Sequence, residues 1–361
     1  MLPLAGALRD AGHEVRFATG EGFRGPLRDR GFEAERVGIA IDEADELAFE
    51  AEPELRDLPR EERWRIGIVV FADVLARLTL ADLRPLLDAL RPDLLVYDET
   101  DIGAAVAADL AAVPAVTHSL GRQLPDAFRP VALERLQQLE PSASDPFLAH
   151  PYLDICPPAL RDPAAADPLE RIPLRPVAPV EPADKLPAWI EAGSSRPLVY
   201  LTLGTYVSDQ VDSLRAAATG LGSLDLDTLV TVGPSGDPAA LGSVPDSVRV
   251  ERFVPQGMLL PHLDAVVHHG GSGTMLGALA HGVPQLLLPH GADQFLNAQA
   301  LLPTGAALRL LPEEITPDAV ADAVRTLLSE QHYRDAASEI GAEIAAMPAP
   351  AEVVSVLERL A

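Results

Sequence analysis

The sequence predicts an α/β protein with two domains, and three observations lead to this prediction. Its 361 residues are enough for two domains that each enclose a hydrophobic core. Hydrophobic residues make up 48% of the chain, which fits a globular protein. Strand-like apolar segments alternate along the chain with segments of helical periodicity. We therefore expect a first domain over residues 1–172, a linker over 173–195 and a second domain over 196–340.

The first domain is predicted to alternate between helices and strands. Residues 42–63 are acidic and poorly patterned, which favours a variable loop or short helices. Between residues 124 and 168 the pattern weakens and proline recurs, as is typical of a mobile segment. Helices are expected over residues 4–11, 64–90 and 102–111, and strands over 14–18, 93–97 and 113–117.

The second domain follows a proline-rich stretch. Residues 172–185 have the composition of a stiff linker between domains. Near the end of the chain, residues 352–360 have the apolar periodicity of an amphipathic helix. Strands of the second domain are predicted over residues 198–203, 229–232, 248–253, 265–268 and 285–288.

Charge and composition exclude several classes of partner. The formal net charge of −26 at pH 7 disfavours binding to nucleic acid or to an anionic membrane. The chain has no apolar run of about 18 residues, and its first residues lack the pattern of a signal peptide. These features predict a cytoplasmic protein without a membrane span. Cys156 is the only cysteine, so an internal disulfide and a cysteine zinc site are excluded.

The most informative motif lies at residues 265–274, which read AVVHHGGSGT. A short β-branched strand leads into two histidines, a glycine-rich turn and the start of a helix. Glycines let the backbone approach a ligand closely, and a helix N-terminus offers free N–H groups and a positive dipole end. The motif therefore predicts an anion site, whose usual guest is phosphate. His269 can add a hydrogen bond or a charge, whereas strand alternation puts His268 on the opposite face and leaves its role open.

Two further segments extend this motif. Residues 282–298 read GVPQLLLPHGADQFLNA, and residues 252–256 read RFVPQ. Together the three segments resemble the donor-binding block of family-1 glycosyltransferases, especially of bacterial enzymes that glycosylate antibiotic aglycones. The resemblance implies a GT-B architecture, with two Rossmann-like domains facing across a cleft, and inverting transfer of a sugar from a nucleotide donor. It also implies that a C-terminal helix, within residues 341–361, crosses back to the first domain.

The resemblance assigns roles to individual residues of the donor site. His269 and the glycine turn hold the diphosphate, Phe253 and Val254 contact the base, and Asp293 and Gln294 contact the sugar hydroxyls. Phe253 could instead be a core aromatic, and Asp293 a helix N-cap. The predicted donor-binding residues are Gly204, Thr205, Phe253, Val254, His269, Gly270, Gly271, Ser272, Gly273, Thr274, Asp293 and Gln294.

Position 277 indicates the nucleotide. Plant members that use a ribose nucleotide carry a glutamate there, which accepts hydrogen bonds from the ribose hydroxyls. Gly277 has no side chain to make that contact. The resemblance therefore favours a dTDP-sugar over a UDP-sugar as the co-substrate.

Catalysis in this class needs a base at the acceptor hydroxyl and stabilisation of the departing diphosphate. The family's base is a histidine in the loop after the first strand, oriented by an aspartate at another strand end. Asp98 matches that aspartate and Asp101 is the reserve candidate, with an exposed loop carboxylate as the alternative interpretation. His13 matches a structural position. The first strand and its Gly-His loop have no counterpart here, and we expect roughly 15–25 residues upstream of Met1 to supply them.

No metal or other cofactor is expected. The Asp-X-Asp pattern at Asp225 and Asp227 is one that another glycosyltransferase fold uses for manganese, but its place before a strand predicts a solvated strand edge. The glycine turn, the helix dipole and His269 can stabilise the leaving group instead.

Three functions are weighed. Sugar transfer to a small apolar aglycone is favoured, and a sugar-nucleotide-binding protein without turnover is the second reading, because no base is identified. A nicotinamide oxidoreductase would need Gly-X-Gly-X-X-Gly after the first strand, which this chain does not have. Whether the protein forms a homodimer is left open.

Overall fold

The structure is a computed structural model that describes residues 1–58, 62, 64–204, 210–233 and 236–361. The α-helices are α1 (Leu2–Asp10), α2 (Glu21–Asp29), α3 (Ile41–Ala51), α4 (Trp64–Val69), α5 (Ala76–Leu90), α6 (Ile102–Ala111), α7 (Phe128–Leu139), α8 (Ala188–Glu191), α9 (Val211–Gly222), α10 (Gln256–Leu259), α11 (Ser272–Ala280), α12 (Gln294–Leu301), α13 (Pro317–Ser329), α14 (Gln331–Ala346) and α15 (Pro350–Leu360). The strands are β1 (Arg16–Thr19), β2 (Glu33–Arg36), β3 (Leu95–Asp98), β4 (Ala115–His118), β5 (Tyr152–Asp154), β6 (Arg171–Pro173), β7 (Leu198–Thr202), β8 (Asp227–Thr231), β9 (Val248–Glu251), β10 (Ala265–His268), β11 (Gln285–Leu287) and β12 (Ala307–Arg309).

The chain forms two compact units. Unit 1 comprises Met1–Ile155, Asp162–Leu174 and Pro348–Ala361, and unit 2 comprises Cys156–Arg161 and Arg175–Met347. Near its end the chain returns to unit 1 at Pro348. The boundary lies there because α14 continues as one helix to Ala346 within unit 2.

Unit 1 contains a four-stranded parallel sheet in the order β3-β4-β5-β6 and a separate parallel pair, β1-β2. Helix α6 has the predicted bounds and buries most of its small side chains against α5. The C-terminal helix α15 also belongs to this unit, where Val353 and Leu357 pack with Leu4 of α1 and Val116 of β4. The sheet is thus covered by helices on both faces, as parallel sheets require.

Several elements of unit 1 were not predicted. The weakly patterned segment from 124 to 168 contains α7 and β5, and the head of the proline-rich stretch forms β6, which pairs with β5. The predicted helix over 64–90 is helical throughout, but Val70–Leu75 is a π-helical turn between α4 and α5. The acidic segment before it forms α3 and a short 3-10 helix, Pro53–Asp57.

Unit 2 contains a six-stranded parallel sheet in the order β12-β11-β10-β7-β8-β9. Alternate residues of β7 face opposite sides, as strand geometry requires. Val199 and Leu201 pack in one cluster with residues of α9 and α13, and Leu198 and Tyr200 pack in another with residues of α10 and α11. All five predicted strands of this domain are present, and only the short edge strand β12 was not foreseen.

The proline-rich stretch after residue 174 lies against unit 2. A Cβ atom on Gly257 of α10 would be 2.6 Å from Cγ2 of Val180, so the stretch approaches α10 closely. Further along, Leu186 and Ile190 are buried in the same cluster as Val254. The segment predicted as a linker therefore covers one face of unit 2.

Helix length and hydropathy bear on membrane insertion. No single described helix is long and apolar enough to cross a membrane. Among the helices that the structure describes, α14 and α15 are long and apolar enough only when they are taken together as a bent pair. Each of them buries one apolar face within its own unit.

Candidate functional site

The candidate site of unit 2 lies at the carboxyl ends of its central strands. From β7 the sheet extends to β8 and β9 on one side and to β10, β11 and β12 on the other. The strand order thus reverses between β7 and β10, where Thr202 pairs with His268. Open parallel sheets bind ligands in the crevice at such a reversal. Gly204 and His269, which follow these two strands, flank that position.

Two glycines enclose the His269 ring. Gly204 has a φ of +86°, and a Cβ atom on it would lie 3.0 Å from Cε1 of His269. A Cβ atom on Gly271 would lie 2.4 Å from Nε2 of the same ring, closer than side chains ever pack. The ring therefore keeps its place only because both neighbours lack side chains. The predicted partner of Gly204, Thr205, lies outside the described residues.

His269 is electrostatically unusual. Its ring is half-buried, and Nδ1 is buried without a hydrogen-bond partner within the described part of the chain. Burial lowers the pKa of His269, Asp293 opposes this change, and His290 adds to it. The imidazole is therefore neutral at pH 7 and offers one donor and one acceptor nitrogen. Such a ring can bind a ligand through a hydrogen bond without carrying a full charge.

His268 has a structural role, which resolves the alternatives left open by the sequence. It is fully buried, and its Nε2 donates to Oε1 of Gln285 over 2.7 Å. Its Nδ1 accepts from the backbone N–H of Gly270 over 3.1 Å. Both nitrogens are thus satisfied within unit 2, and burial lowers the pKa of His268 to about 3.

The glycine turn leads directly into α11. Gly270 has a φ of +92°, which favours glycine, and Gly271 occupies the N-cap position without a side chain to cap the helix. The N–H groups of Ser272, Gly273 and Thr274 consequently have no intrahelical acceptor. These N–H groups and the helix dipole form the geometry of an anion site.

Asp293 and Gln294 already make internal hydrogen bonds. Oδ2 of Asp293 accepts from the Ser272 hydroxyl over 2.9 Å and from Nδ2 of Asn297 over 2.8 Å. Asp293 occupies the N-cap position of α12, but its side chain does not cap the helix. Oε1 of Gln294 accepts from the N–H groups of His290 and Gly291, over 2.8 and 3.1 Å. The atoms left for a ligand are therefore Oδ1 of Asp293 and the amide nitrogen of Gln294.

Phe253 and Val254 differ sharply in exposure. Phe253 is 64% exposed and Val254 is 3% exposed, so Phe253 is not a core aromatic. The next polar residue, Gln256, donates from Nε2 to the Thr274 hydroxyl and to the Tyr200 hydroxyl, each over 3.3 Å. These bonds hold the segment after β9 against the first turn of α11.

Gly277 lies on the face of α11 that meets this segment. It follows Thr274 by three residues, which places the two on one side of the helix. A Cβ atom on Gly277 would be 2.8 Å from Cδ1 of Leu260, which is fully buried. Leu260 therefore takes the space that a side chain at position 277 would need. The sequence motifs did not predict this contact.

In unit 1, acidic side chains follow β3. Oδ1 of Asp98 accepts from the backbone N–H and the hydroxyl of Thr100, over 3.0 and 2.6 Å. Burial raises the pKa of Asp101 to about 6, and its Oδ1 has no hydrogen-bond partner among the described residues. The two candidates thus differ, since Asp98 is held by hydrogen bonds at the strand end and Asp101 occupies the N-cap of α6.

Glu99, between these two candidates, was not foreseen. It is 2% exposed, and burial raises its pKa to about 8. Its two oxygens accept from the Tyr152 hydroxyl over 2.7 Å and from the N–H of Leu120 over 3.0 Å. Nearby, buried Asp154 pairs with Arg171 over 2.6 Å. The carboxyl edge of this sheet therefore holds a cluster of buried acidic groups.

Aromatic side chains of unit 1 divide between surface and core. Trp64 is 39% exposed and lies against Phe128, with ring centroids 5.1 Å apart. Phe71 and Phe147 pack against apolar clusters. A separate recess of about 340 Å³ is lined by Phe49, Leu55, Arg56 and Ile66.

The Asp-X-Asp segment is not the solvated edge that we expected. The Asp225 side chain is 94% exposed, but Asp227 is buried at the start of β8 and pairs with Arg196 and Arg249. Asp227 is therefore paired with two arginines of its own unit. No group of three His, Cys, Asp or Glu side chains suited to a metal occurs in the described ranges.

Known proteins resemble the whole chain. A family model for the N-terminal domain of proteins like erythromycin biosynthesis protein CIII matches residues 6–204, and the corresponding C-terminal model matches residues 216–360. L-demethylnoviosyl transferase from Streptomyces niveus is 34% identical over 98% of this chain and 92% of its own length. 4'-Demethylrebeccamycin synthase from Lentzea aerocolonigenes is 29% identical over 100% of this chain and 96% of its own length.

Solved structures of glycosyltransferases also resemble nearly the whole chain. Glycosyltransferase VinC in complex with dTDP is 29% identical, with a TM-score of 0.75 over 100% of this chain and 95% of that chain. Spinosyn rhamnosyltransferase SpnG complexed with thymidine diphosphate is 26% identical, with a TM-score of 0.82 over 99% and 95%. Fold and site thus define a glycosyltransferase of the GT-B class. The chain belongs to the erythromycin biosynthesis protein CIII-like family, which confirms the predicted resemblance and excludes the nicotinamide oxidoreductase.

Proposed function

We propose that this glycosyltransferase moves a deoxysugar from a dTDP-sugar to a hydroxyl of a small apolar natural-product aglycone, with inversion at the anomeric carbon. The observation that carries the proposal is the His269 ring, held beside the glycine turn and the N-terminus of α11 at the strand reversal. The names of the relatives support a natural-product acceptor. The thymidine diphosphate complexes of VinC and SpnG support the nucleotide.

The diphosphate is the leaving group. The groups assigned to stabilise the charge that develops on it are three N–H groups at the start of α11, the helix dipole and one nitrogen of His269. Because His269 is neutral before the donor binds, it can donate a hydrogen bond or take up a proton as that charge grows. We therefore expect transfer to proceed without an added metal ion.

The nucleotide and the sugar meet different groups. The exposed ring of Phe253 offers a stacking surface for the base, and Leu260 leaves no room for a ribose acceptor at Gly277. Oδ1 of Asp293 accepts from one sugar hydroxyl, and the amide nitrogen of Gln294 donates to another. Asp293 is the N-cap of α12, and Gln294 is the first residue of that helix.

Inverting transfer is a single displacement. The acceptor oxygen forms a bond to the anomeric carbon, the bond from that carbon to the diphosphate breaks, and the hydroxyl proton passes to a base. Asp98 is the proposed carboxylate of unit 1 in this step, as orienting group or as base, because it ends β3 and is fixed by Thr100. Asp101, which occupies the N-cap of α6 and does not end the strand, is the reserve candidate.

His269→Ala tests the proposal, with the exposed His332→Ala as the matched control. Loss of a hydrogen bond to a charged group should weaken dTDP binding by about 1.5–3 kcal/mol, which calorimetry measures directly. The control should bind dTDP like the wild type. Equal binding by His269→Ala and the wild type would refute the assignment.

Turnover separates an enzyme from a binding protein. Release of dTDP from dTDP-deoxysugars in the presence of aglycones, followed by mass spectrometry of the glycoside, should be detected for the wild type. Tight dTDP binding without any glycoside across a panel of acceptors would instead favour the sugar-nucleotide-binding protein.

A further inference from the structure

Asn297 is a buried polar residue at the junction between the glycine turn and α12. It is 1% exposed, and it lies in the quoted motif without a role assigned by its sequence. Resting on the proposed function, we infer that Asn297 is the positioning residue for sugar recognition, because it fixes the orientation of the Asp293 carboxylate relative to the glycine turn.

The amide nitrogen of Asn297 reaches three acceptors. It is 2.8 Å from Oδ2 of Asp293, 2.9 Å from the carbonyl oxygen of Gly270 and 3.1 Å from the Ser272 hydroxyl oxygen. An amide has two protons, and the two shorter contacts take them. One side chain therefore ties the loop that ends at Asp293 to the backbone of the glycine turn.

The bonds to Asp293 determine which of its oxygens meets the sugar. Oδ2 accepts from Asn297 and also from the Ser272 hydroxyl over 2.9 Å, so two donors hold this oxygen. Oδ1 has no partner among the residues that the structure describes, and Asp293 is only half-buried. Asn297 follows Asp293 by four residues on α12, one helical turn away, so the geometry is fixed by helix structure.

Removing Asn297 should release this orientation. With one donor left, the carboxylate can rotate, and a fixed acceptor for a sugar hydroxyl is replaced by a mobile one. The N–H groups of α11 that face the diphosphate are not donors to Asn297, so dTDP itself should be affected far less than the sugar nucleotide. Sugar recognition and nucleotide recognition are therefore separable at this residue.

The experiment is calorimetry with dTDP and with dTDP-glucose as the probes, on wild type, Asn297→Ala, Asp293→Ala and the double variant. The preference for the sugar nucleotide is the dissociation constant of dTDP divided by that of dTDP-glucose. For Asn297→Ala we expect this preference to fall about tenfold, while dTDP affinity changes by less than about threefold. The double variant should be no worse than Asp293→Ala, because both act on one contact. The exposed Gln299→Ala on the same helix is the control and should match the wild type.

Other outcomes overturn the inference. A merely structural Asn297 would lower the Tm, weaken both ligands equally and add to the effect of Asp293→Ala. A wild type that binds dTDP-glucose no more tightly than dTDP would also refute it. If Asn297→Ala does not fold, Ser272→Ala removes the other donor to Oδ2 and should lower the ratio by about threefold, and no change would count against the inference. Failure of the wild type to bind either ligand would instead refute the proposed function.

Discussion

The carboxyl edges of the two sheets carry chemically different groups. In unit 2 the edge is formed by backbone N–H groups, glycines and two histidines whose pKa values burial lowers. In unit 1 the corresponding edge holds acidic side chains, and burial raises the pKa of Glu99 to about 8 and that of Asp101 to about 6. Burial favours the neutral form at both edges. It lowers the pKa of the histidines, which are charged when protonated, and raises the pKa of the carboxylic acids, which are charged when deprotonated.

This difference separates two tasks. Backbone N–H groups, neutral histidines and a helix N-terminus suit an anionic ligand, since the groups assigned to the diphosphate carry no full charge that must be desolvated. An edge of carboxylic acids with raised pKa values suits proton transfer near neutral pH. The comparison therefore predicts that donor binding depends on unit 2 and that chemistry depends on the acidic groups of unit 1.

The largest expected effect comes from the acidic edge. Asp98→Asn should lower kcat by about 10²- to 10⁴-fold, the usual loss for a group that handles a proton, while dTDP affinity stays unchanged. Single-turnover assays and calorimetry measure the two quantities separately. A larger loss of kcat in Asp101→Asn would move the role to that residue, and a loss of dTDP binding in Asp98→Asn would contradict the division of tasks.

The next effect is on stability against pH. Glu99 keeps its proton up to a pKa of about 8 when folded, whereas the unfolded chain releases it near the ordinary value of 4.5. The folded state binds more protons within this window, so this group makes stability fall as pH rises from 4.5 to 8, and the loss levels off above that. Glu99→Gln should remove this dependence and stabilise the protein at pH 8 by about 2–5 kcal/mol.

Chemical denaturation between pH 5 and pH 9 measures the free energy of unfolding of the wild type and of Glu99→Gln. The exposed Glu134→Gln is the control. Buried His268 gives the opposite slope. Its pKa falls to about 3 on folding, so its contribution is lost as pH decreases from 6.5 toward 3. Parallel pH profiles for wild type and Glu99→Gln would show that Glu99 is ionised in the folded protein.

Residues near strongly patterned segments were predictable, and residues held by distant contacts were not. Helix α6 and strand β10 have their predicted bounds because each is a nearly continuous run of buried apolar residues. Strands β5, β6 and β12 have three residues each, too few to show a period, and only pairing with a neighbour defines them. The glycine turn was recognised for its local backbone chemistry, which needs no tertiary information.

The parts of the site that the sequence did not reveal depend on tertiary contacts. Glu99 is indistinguishable from an exposed strand-end carboxylate until Tyr152 and Leu120 are brought to it. Asn297 was visible within a motif, but its partners at Gly270 and Asp293 lie on different loops. Gly204 was predicted to face the diphosphate, whereas its contact with the His269 ring requires the pairing of β7 with β10.

The smallest expected effect tests whether unit 2 discriminates between nucleotides because Gly277 has no side chain that could accept a hydrogen bond from a ribose hydroxyl. Gly277→Glu alone should lower the Tm and weaken both dTDP and UDP, because the new side chain meets Cδ1 of Leu260 at 2.8 Å. Combining it with Leu260→Ala provides space, and the carboxylate can then accept a hydrogen bond from a ribose hydroxyl. Preference should shift toward UDP by about 1 kcal/mol per bond gained, relative to Leu260→Ala alone, when calorimetry compares the two nucleotides. Because Leu260→Ala leaves the same cavity without a carboxylate, it separates the effect of space from that of the acceptor. Two results would contradict this prediction: a wild type that prefers UDP tenfold, or a double variant with the same nucleotide preference as Leu260→Ala. Either would show that the missing carboxylate at position 277 does not select the nucleotide.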